Sequence, residues 1–333
     1  MKMGKIDHGP VLVTGAAGFI GSHVCGALLA RGQRVVGIDN FDPLLYGDRN
    51  ETLKQGNVEE VTRGAAAGAF EFERADICDA SAMRALFAKW KPLGVIHLAA
   101  KAGVRPSIAD PSAYMRTNVV GTSHVLECAR AAGCSRIVVA SSSSVYGNAP
   151  TVPFHEEMDV GRPISPYAAS KRATELICAT HYHLYKTPVA CLRFFTVFGP
   201  RQRPDLAIAK FLEMVSRGES IPFFGDGTSS RDYTFVDDIV SGVLSAYDRI
   251  ERHGFRIWNL GGSRPHSLNE LVATVERVVG RKGTLDRKPM QAGDVERTYA
   301  DLTRSGAELG FAPTTSLEDG IRRQWAWMQG LRR

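Results

Sequence analysis

Residues Pro166–Lys171 read P-Y-A-A-S-K, which sets a phenol and an ammonium four positions apart. On a helix, Tyr167 and Lys171 then share a face. A cation beside a phenol favours the phenolate, and a tyrosine so tuned serves as a general base near neutral pH. A solvated helix face is the plainer alternative, because Y-x-x-x-K arises often by chance. Twenty-five residues before the tyrosine (167 − 142) the chain passes through A-S-S-S-S-V-Y-G, Ala140–Gly147. Ser141, Ser142, Ser143 and Ser144 offer hydroxyls that donate or accept hydrogen bonds without bringing charge.

A second motif suits a redox cofactor. P-V-L-V-T runs straight into G-A-A-G-F-I-G, with Gly15, Gly18 and Gly21 and, among them, Ala17, Phe19 and Ile20. The first glycine allows a tight turn, the second lets backbone approach a pyrophosphate, and the third lets helix pack on strand. The helix that follows turns its N–H groups and positive dipole end toward the phosphates. Twenty-four residues on (39 − 15), Asp39 ends the next apolar run, with Asn40 after it. Its carboxylate accepts from adenosine ribose hydroxyls and repels a 2′-phosphate, so NAD is expected over NADP. Asp76, followed by Ile77, stands after a third run; it either reaches an adenine amino group or caps the next helix. Oxidised nicotinamide adds positive charge that favours the Tyr167 phenolate.

The elements that must position these groups alternate. Short apolar runs at 10–14, 34–39, 70–74, 94–98, 136–141 and 188–194 are continuous in the manner of strands covered on both faces. Helical segments near 19–31, 79–90, 112–132 and 166–186 separate them, which predicts an α/β fold with a doubly wound parallel Rossmann sheet. After residue 195 helices near 204–217, 235–250, 267–280 and 316–329 are set among Gly- and Pro-rich loops. The expected division is a dinucleotide domain over 1–195, with return segments near 230–262, and a smaller substrate domain over 196–333.

The 333 residues are 44% hydrophobic and 23% charged, the balance of a globular chain with a sizeable core. The formal charge of +6 comes from scattered Lys and Arg, which argues against a nucleic-acid partner. Six cysteines show no C-x-x-C and no paired ligand spacing, which fits a reducing compartment and no metal site. No apolar run reaches the ~18 residues of a membrane span, and M-K-M-G-K-I-D-H-G-P is too polar for a signal peptide. A cytoplasmic location without membrane contact is expected, and the basic tail I-R-R-Q-W-A-W-M reads as a docking helix in preference to a membrane-surface one.

Taken together the motifs resemble the extended short-chain dehydrogenase/reductase family over nearly the whole chain. They are G-A-A-G-F-I-G, Asp39, H-L-A-A (His97–Ala100), T-N-V-V-G-T (Thr117–Thr122), S-S-S-S-V-Y-G, Y-A-A-S-K, R-F-F-T-V-F-G-P (Arg193–Pro200) and R-D-Y-T-F-V-D-D (Arg231–Asp238). The resemblance implies a catalytic hydroxyl four residues before Tyr146, which picks Ser142 to work with Tyr167 and Lys171. It also implies that Leu98, Ala99, Ala100, Lys101, Asn118, Ser141 and Phe194 line the cofactor. At Lys101 this chain departs from many relatives, which carry an uncharged residue.

Sugar-nucleotide dehydratases and a UDP-xylose-forming decarboxylase of that family usually have Asp or Glu just before V-Y-G. Here Ser143 and Ser144 stand there, either to hold the sugar, including a sugar carboxylate, or to cap the strand end. More closely, R-F-F-T-V-F-G-P-R-Q-R-P-D-L-A and K-A-G-V-R-P-S look like the UDP-glucuronate 4-epimerases. Thr196 sits where UDP-galactose 4-epimerases usually have asparagine, and Arg105 is placed near the sugar or diphosphate. By the same resemblance Arg231, with Arg203 and Arg297 behind it, takes the diphosphate, and Asp294 holds ribose hydroxyls. The implied activity is NAD-dependent interconversion of UDP-glucuronate and UDP-galacturonate by a homodimer. Alternatives are the same chemistry on UDP-glucose or UDP-N-acetylglucosamine, a dehydratase or decarboxylase, and a non-catalytic dinucleotide-binding protein. No G-x-S-x-G elbow points to a serine hydrolase.

Overall fold

The computed structural model describes residues 9–44, 46–289 and 295–331. Six strands of the first half lie parallel: β1 (Val11–Thr14), β2 (Val35–Asp39), β3 (Phe70–Arg74), β4 (Gly94–His97), β5 (Arg136–Ser142) and β6 (Val189–Phe194). β1, β2, β4 and β6 are buried at every position, as strands sandwiched between helices must be. β3 differs from the expectation of a continuous apolar run. Its F-E-F-E-R alternates because it is the edge strand, with Phe70 and Phe72 packed inward beside Phe41 and glutamates on the other face.

Helices cover both faces. On one, α1 (Phe19–Ala30) packs in a core with residues of a later helix, Val236–Arg249. α2 (Asn50–Gly64) lies beside α1 and was not foreshadowed by the sequence pattern. Its N-E-T-L-K-Q-G-N-V-E-E-V is polar, and tertiary contacts bury Asn50, Lys54 and Asn57 where an apolar stripe is usual. On the other face α3 (Ala80–Trp90) is followed by α4 (Val104–Ala109), α5 (Pro111–Met115), α6 (Thr122–Ala131) and α7 (Pro166–Tyr185). The single helix expected near 112–132 is interrupted. Between α5 and α6, Arg116–Gly121 winds as a π-helix, a widening often found at functional sites. Gly121 makes room there, since a Cβ would stand 2.7 Å from Ile77 Cδ1.

Beyond β6 the chain forms β7 (Thr196–Phe198), α8 (Ala207–Arg217), β8 (Ser220–Phe224), β9 (Ser230–Phe235), α9 (Val236–Arg249) and β10 (Phe255–Leu260). β11 (Pro265–Ser267), α10 (Leu268–Val279), β12 (Thr284–Lys288), α11 (Thr303–Leu309) and α12 (Leu317–Gly330) complete it. β10 returns to the main sheet beside β6, giving the order β10-β6-β5-β4-β1-β2-β3. β11-β9-β7 and β12-β8 make two small sheets, and α10 packs between α8 and α12. No helix among the described residues is long and apolar enough to cross a membrane.

Candidate active site

In open parallel sheets ligands bind beyond the carboxyl ends of the strands, where the strand order reverses. Here the reversal falls at β1 and β4, and a cavity of about 490 Å³ opens there. Residues ending or following six strands wall it: Gly15, Asp39, Asp76, Leu98, Ser142 and Phe194. Arg231 and Thr298 close the far side from the second half of the chain.

The dinucleotide end is built on glycine. Gly15 adopts φ +72°, and a Cβ on it would sit 2.8 Å from the Ala99 nitrogen, so only glycine lets the loop pass under β4. A Cβ on Gly21 would stand 2.0 Å from the Gly15 carbonyl oxygen, which is how α1 is brought down onto the loop. Gly18 caps α1 without a side-chain hydrogen bond, and Gly18, Phe19, Ile20 and Gly21 all line the cavity. Ala17 is buried behind them, its carbonyl accepting from Asn57 Nδ2 at 2.9 Å.

Asp39 ends β2, only 6% exposed, with Oδ1 accepting from Phe41 N at 2.8 Å and from Lys54 Nζ at 3.0 Å. Asp76 is not the cap of α3; Asp79 is, accepting from Ser81 N and Ala82 N. Asp76 instead holds Cys78 N with one oxygen and Asn40 Nδ2 with the other, and Asn40, Asp76 and Ile77 share the cavity wall. Lys101 lines the cavity with its ammonium 2.7 Å from Asp42 Oδ2. Asn118 lies behind it, clasping the Lys101 backbone from both sides and donating to Ser170 Oγ. An uncapped helix start, a loop with no Cβ at its tight points and a carboxylate at the β2 end together fit a dinucleotide. Asp39→Asn should cut the NAD-over-NADP affinity ratio by tenfold or more, because it leaves the buried Lys54 ammonium without its counter-charge beside the ribose end (~1.4 kcal/mol per tenfold). Fluorescence titration with both nucleotides checks this.

The reacting end sits where α7 meets β5. Ser165 and Pro166 start the helix, Ser165 Oγ accepting from Ala168 N, so Tyr167 emerges in the first turn. Ser142 Oγ accepts from Ser144 N at 3.1 Å, which leaves its proton free to be turned toward the Tyr167 phenol across the cavity wall they share. Burial raises the Tyr167 pKa, opposed by the Ser142 hydrogen bond and by the positive charge of Arg203. Lys171 is 4% exposed; its ammonium donates to the Ala140 carbonyl at 2.7 Å, and desolvation lowers its pKa to about 8. Lys171 follows Tyr167 one turn along α7 as the spacing predicts, while the ammonium donates to Ala140 on the strand that carries Ser142 and the positive charge that opposes the raised Tyr167 pKa is that of Arg203.

Ser141, Ser143, Ser144, Thr196, Arg203 and Arg231 line the cavity as well. The Ser144 hydroxyl is buried and has no hydrogen-bond partner among the described residues. Arg203 is held by both oxygens of Asp205, and Arg231 donates to the carbonyls of Ser230 and Glu296. Behind Arg231, Asp232 gathers the Gly262, Ser263 and Ala300 amides and so fixes the loops of this wall. Arg105 and Arg297 stand outside the lining: Arg105 packs over the Phe224 ring and Arg297 donates to the Pro150 carbonyl. Asp294 lies outside the described residues.

Residues 12–324 match the family described as GDP-mannose 4,6 dehydratase. The chain belongs to the extended short-chain dehydrogenase/reductase family. Among relatives of this family, it is 38% identical over 321 residues to the UDP-glucuronate 4-epimerase of Thermodesulfobacterium geofontis, covering 96% of each chain. Its fold is similar to the crystal structure of UDP-glucuronic acid 4-epimerase from Bacillus cereus in complex with UDP-glucuronic acid and NAD, with TM-score 0.89, 33% identity, and 97% and 99% of the two chains covered. The UDP-glucose 4-epimerase of Thermotoga maritima with UDP-glucose gives TM-score 0.87 at 32% identity, over 97% and 100%.

Sequence reasoning missed several groups at this family site. Lys54 and Tyr46 come from the unforeseen α2 and the loop before it, and Tyr46 receives a hydrogen bond from Phe19 N. Fifteen residues after Asp39, Lys54 carried no local signal beyond its charge. His97 is fully enclosed between Thr14 Oγ1 (2.6 Å) and Thr122 Oγ1 (2.9 Å), and burial lowers its pKa to about 3, so it is a neutral strut. Two threonines far apart in sequence make that strut, which no spacing rule reveals.

Proposed function

We propose that this protein is an NAD-dependent UDP-glucuronate 4-epimerase, interconverting UDP-glucuronate and UDP-galacturonate through a 4-keto sugar. The observation that carries the reading is the Ser142–Tyr167 hydroxyl pair beside Lys171, in a cavity whose adjoining wall is Ser143 and Ser144, with no carboxylate among them.

NAD is held by the Gly15–Gly21 loop, Asp39, Asn40 and Asp76, and the wall from Leu98 to Lys101. Bound NAD supplies a hydride acceptor and donor at sugar C4. Tyr167 takes the O4 proton and later returns it, with Ser142 holding the phenolic oxygen between the two events. The phenolate that forms is favoured by the Ser142 hydroxyl and by the Arg203 charge. Arg231, with Arg203, grips the diphosphate, and the sugar turns about that anchored end to offer its other face. Thr196, Ser143 and Ser144 donate to the uronate carboxylate without repelling it. A 4-keto uronate is a β-keto acid, so holding the carboxylate in hydrogen bonds also guards against loss of CO₂.

The family name that matches is that of a dehydratase, yet elimination needs a proton donor and acceptor at the positions Ser143 and Ser144 occupy. Serine is a poor acid and base there, which favours epimerisation. The same reading divides the chain into a dinucleotide part, residues 1–195 with returns near 230–262, and a mainly sugar-nucleotide part after 196. It includes a cytoplasmic homodimer: six free thiols suit a reducing compartment. Exposed apolar side chains on α5–α6 and α7, Met115, Val120, Leu176 and Leu184, support a second copy covering these helices.

Proton NMR of purified protein with UDP-glucuronate and no added NAD tests the reading. Appearance of UDP-galacturonate without pentose or keto sugar is expected. An untouched uronate with converted UDP-glucose or UDP-N-acetylglucosamine would overturn the substrate and keep the chemistry.

A further inference from the structure

Directly behind the reacting groups lies a buried ion pair that the mechanism above does not use. Glu175, on α7, and Arg193, on β6, have side chains 0% and 1% exposed. They meet in two parallel hydrogen bonds, Nε to Oε1 at 2.8 Å and NH2 to Oε2 at 2.9 Å. The Ser141 hydroxyl donates to Oε1 at 2.7 Å and Arg172 NH1 to Oε2 at 3.0 Å, so each carboxylate oxygen accepts twice. Arg193 is held further by the Glu156 carbonyl and stacks over the Tyr146 ring at 4.8 Å.

The placement is what gives this pair meaning. Tyr167, Lys171 and Glu175 follow one another at four-residue steps on α7 and so share a face. Ser141 immediately precedes Ser142 on β5, and Arg193 immediately precedes Phe194 on β6. One carboxylate thus ties together the helix that carries the base and the two strand ends that wall the reaction. Replacing a buried ion pair by apolar side chains is often neutral for stability, so stability alone is a weak reason for it.

We infer that Glu175, gripped by Arg193, is a positioning residue that sets the Ser142–Tyr167 hydroxyl contact and keeps a negative charge behind the Lys171 ammonium. Lys171 shares its helix face with Tyr167 and Glu175 and donates to the Ala140 carbonyl on β5; Cys191, Cys178 and Glu175 act on its charge, and its charge acts on His97. His97 is neutral, burial and Cys178 hold the Cys191 thiol protonated, and Arg193 is cationic. Among these described residues Glu175 is the standing anion. Without it, Lys171 would lose an anion that favours its charged form, and its proton would come off at lower pH. The sign is fixed: an adjacent anion raises a lysine pKa, and losing that anion lowers it.

This inference rests on the epimerase reading for its kinetic arm, and a second arm is independent of the sugar. In the cofactor-loaded protein, Glu175→Gln should lower kcat for UDP-glucuronate about 100-fold with KM within about threefold, and move the alkaline limb of the pH profile down. Ser141→Ala, which cuts the β5 tether and leaves the ion pair, should lower kcat about three- to tenfold. Lysine side-chain NMR should show Lys171 titrating at lower pH in Glu175→Gln than in the parent. Parental kcat and an unmoved Lys171 titration in Glu175→Gln would overturn the inference. So would a loss that matches its unfolded fraction, with Ser141→Ala at parental kcat. If the parent itself leaves UDP-glucuronate untouched, the substrate reading fails, and the Lys171 titration still decides this one.

Discussion

Replacing Tyr167 with phenylalanine is expected to lower kcat by about 10²–10⁴-fold, the range of a lost general base. NAD content and the KM for UDP-glucuronate should stay within a few-fold of the parent. The split follows from what the side chain touches. Its ring lies edge-on to Tyr114 at 6.1 Å and its backbone N–H donates to Ser107 Oγ, and both contacts survive the loss of one oxygen. The phenolic hydroxyl shares the cavity wall with Ser142, which keeps the Ser144 N–H as its partner when that hydroxyl is removed. Little but the proton transfer is removed. In the NAD-loaded enzyme, where the positive nicotinamide offsets the burial that raises the Tyr167 pKa, activity should rise with pH as the tyrosine proton is lost, and fall above about 8 as Lys171 gives up its own. Initial rates measured from pH 6 to 10, with the bound nucleotide quantified after denaturation, check the outcome. Equal loss of kcat and nucleotide in Tyr167→Phe would mean the tyrosine holds the cofactor in place and does not serve as the base.

The fold was legible because burial on both faces imposes continuous apolar runs, and β1, β2, β4 and β6 show them without a break. The glycine loop was legible for a stricter reason. Gly15 at φ +72° and Gly21 pressed on its carbonyl are positions where a Cβ has no room, so the sequence has no freedom there. What escaped was long-range polar burial. α2 reads as a solvated segment, and only the closed structure shows Lys54 against Asp39 and Asn57 against Ala17. The Glu175–Arg193 pair escaped in the same way, since an arginine in β6 and a glutamate in α7 are each ordinary until the elements pack. The arginines show the opposite failure. Resemblance named four, and the structure sets Arg203 and Arg231 in the cavity wall while Arg105 and Arg297 take other partners outside it.

Ser144→Asp should divide uronates from neutral sugars. The Ser144 hydroxyl is buried in the cavity wall with no hydrogen-bond partner among the described residues, which suits a group reserved for substrate. A carboxylate introduced there would face the uronate carboxylate. Two like charges about 4 Å apart at an effective dielectric of 20 repel by about 4 kcal/mol, which corresponds to roughly 10³-fold. Protonation of one acid would relieve part of this at low pH, so the expected loss in kcat/KM for UDP-glucuronate at pH 7 is about 10²–10³-fold. A neutral hexose meets a hydrogen-bond acceptor instead of a charge, and any turnover of UDP-glucose should change by less than tenfold. The same substitution restores the residue type that dehydratases and decarboxylases of the family place before V-Y-G, so NMR of the products must accompany the rates. Equal losses on both sugars would mean that the introduced side chain merely fills space and that the uronate carboxylate lies elsewhere in the cavity. A loss confined to the uronate would locate the charge of the substrate beside the serines, and explain why this site tolerates hydroxyls there and no acid.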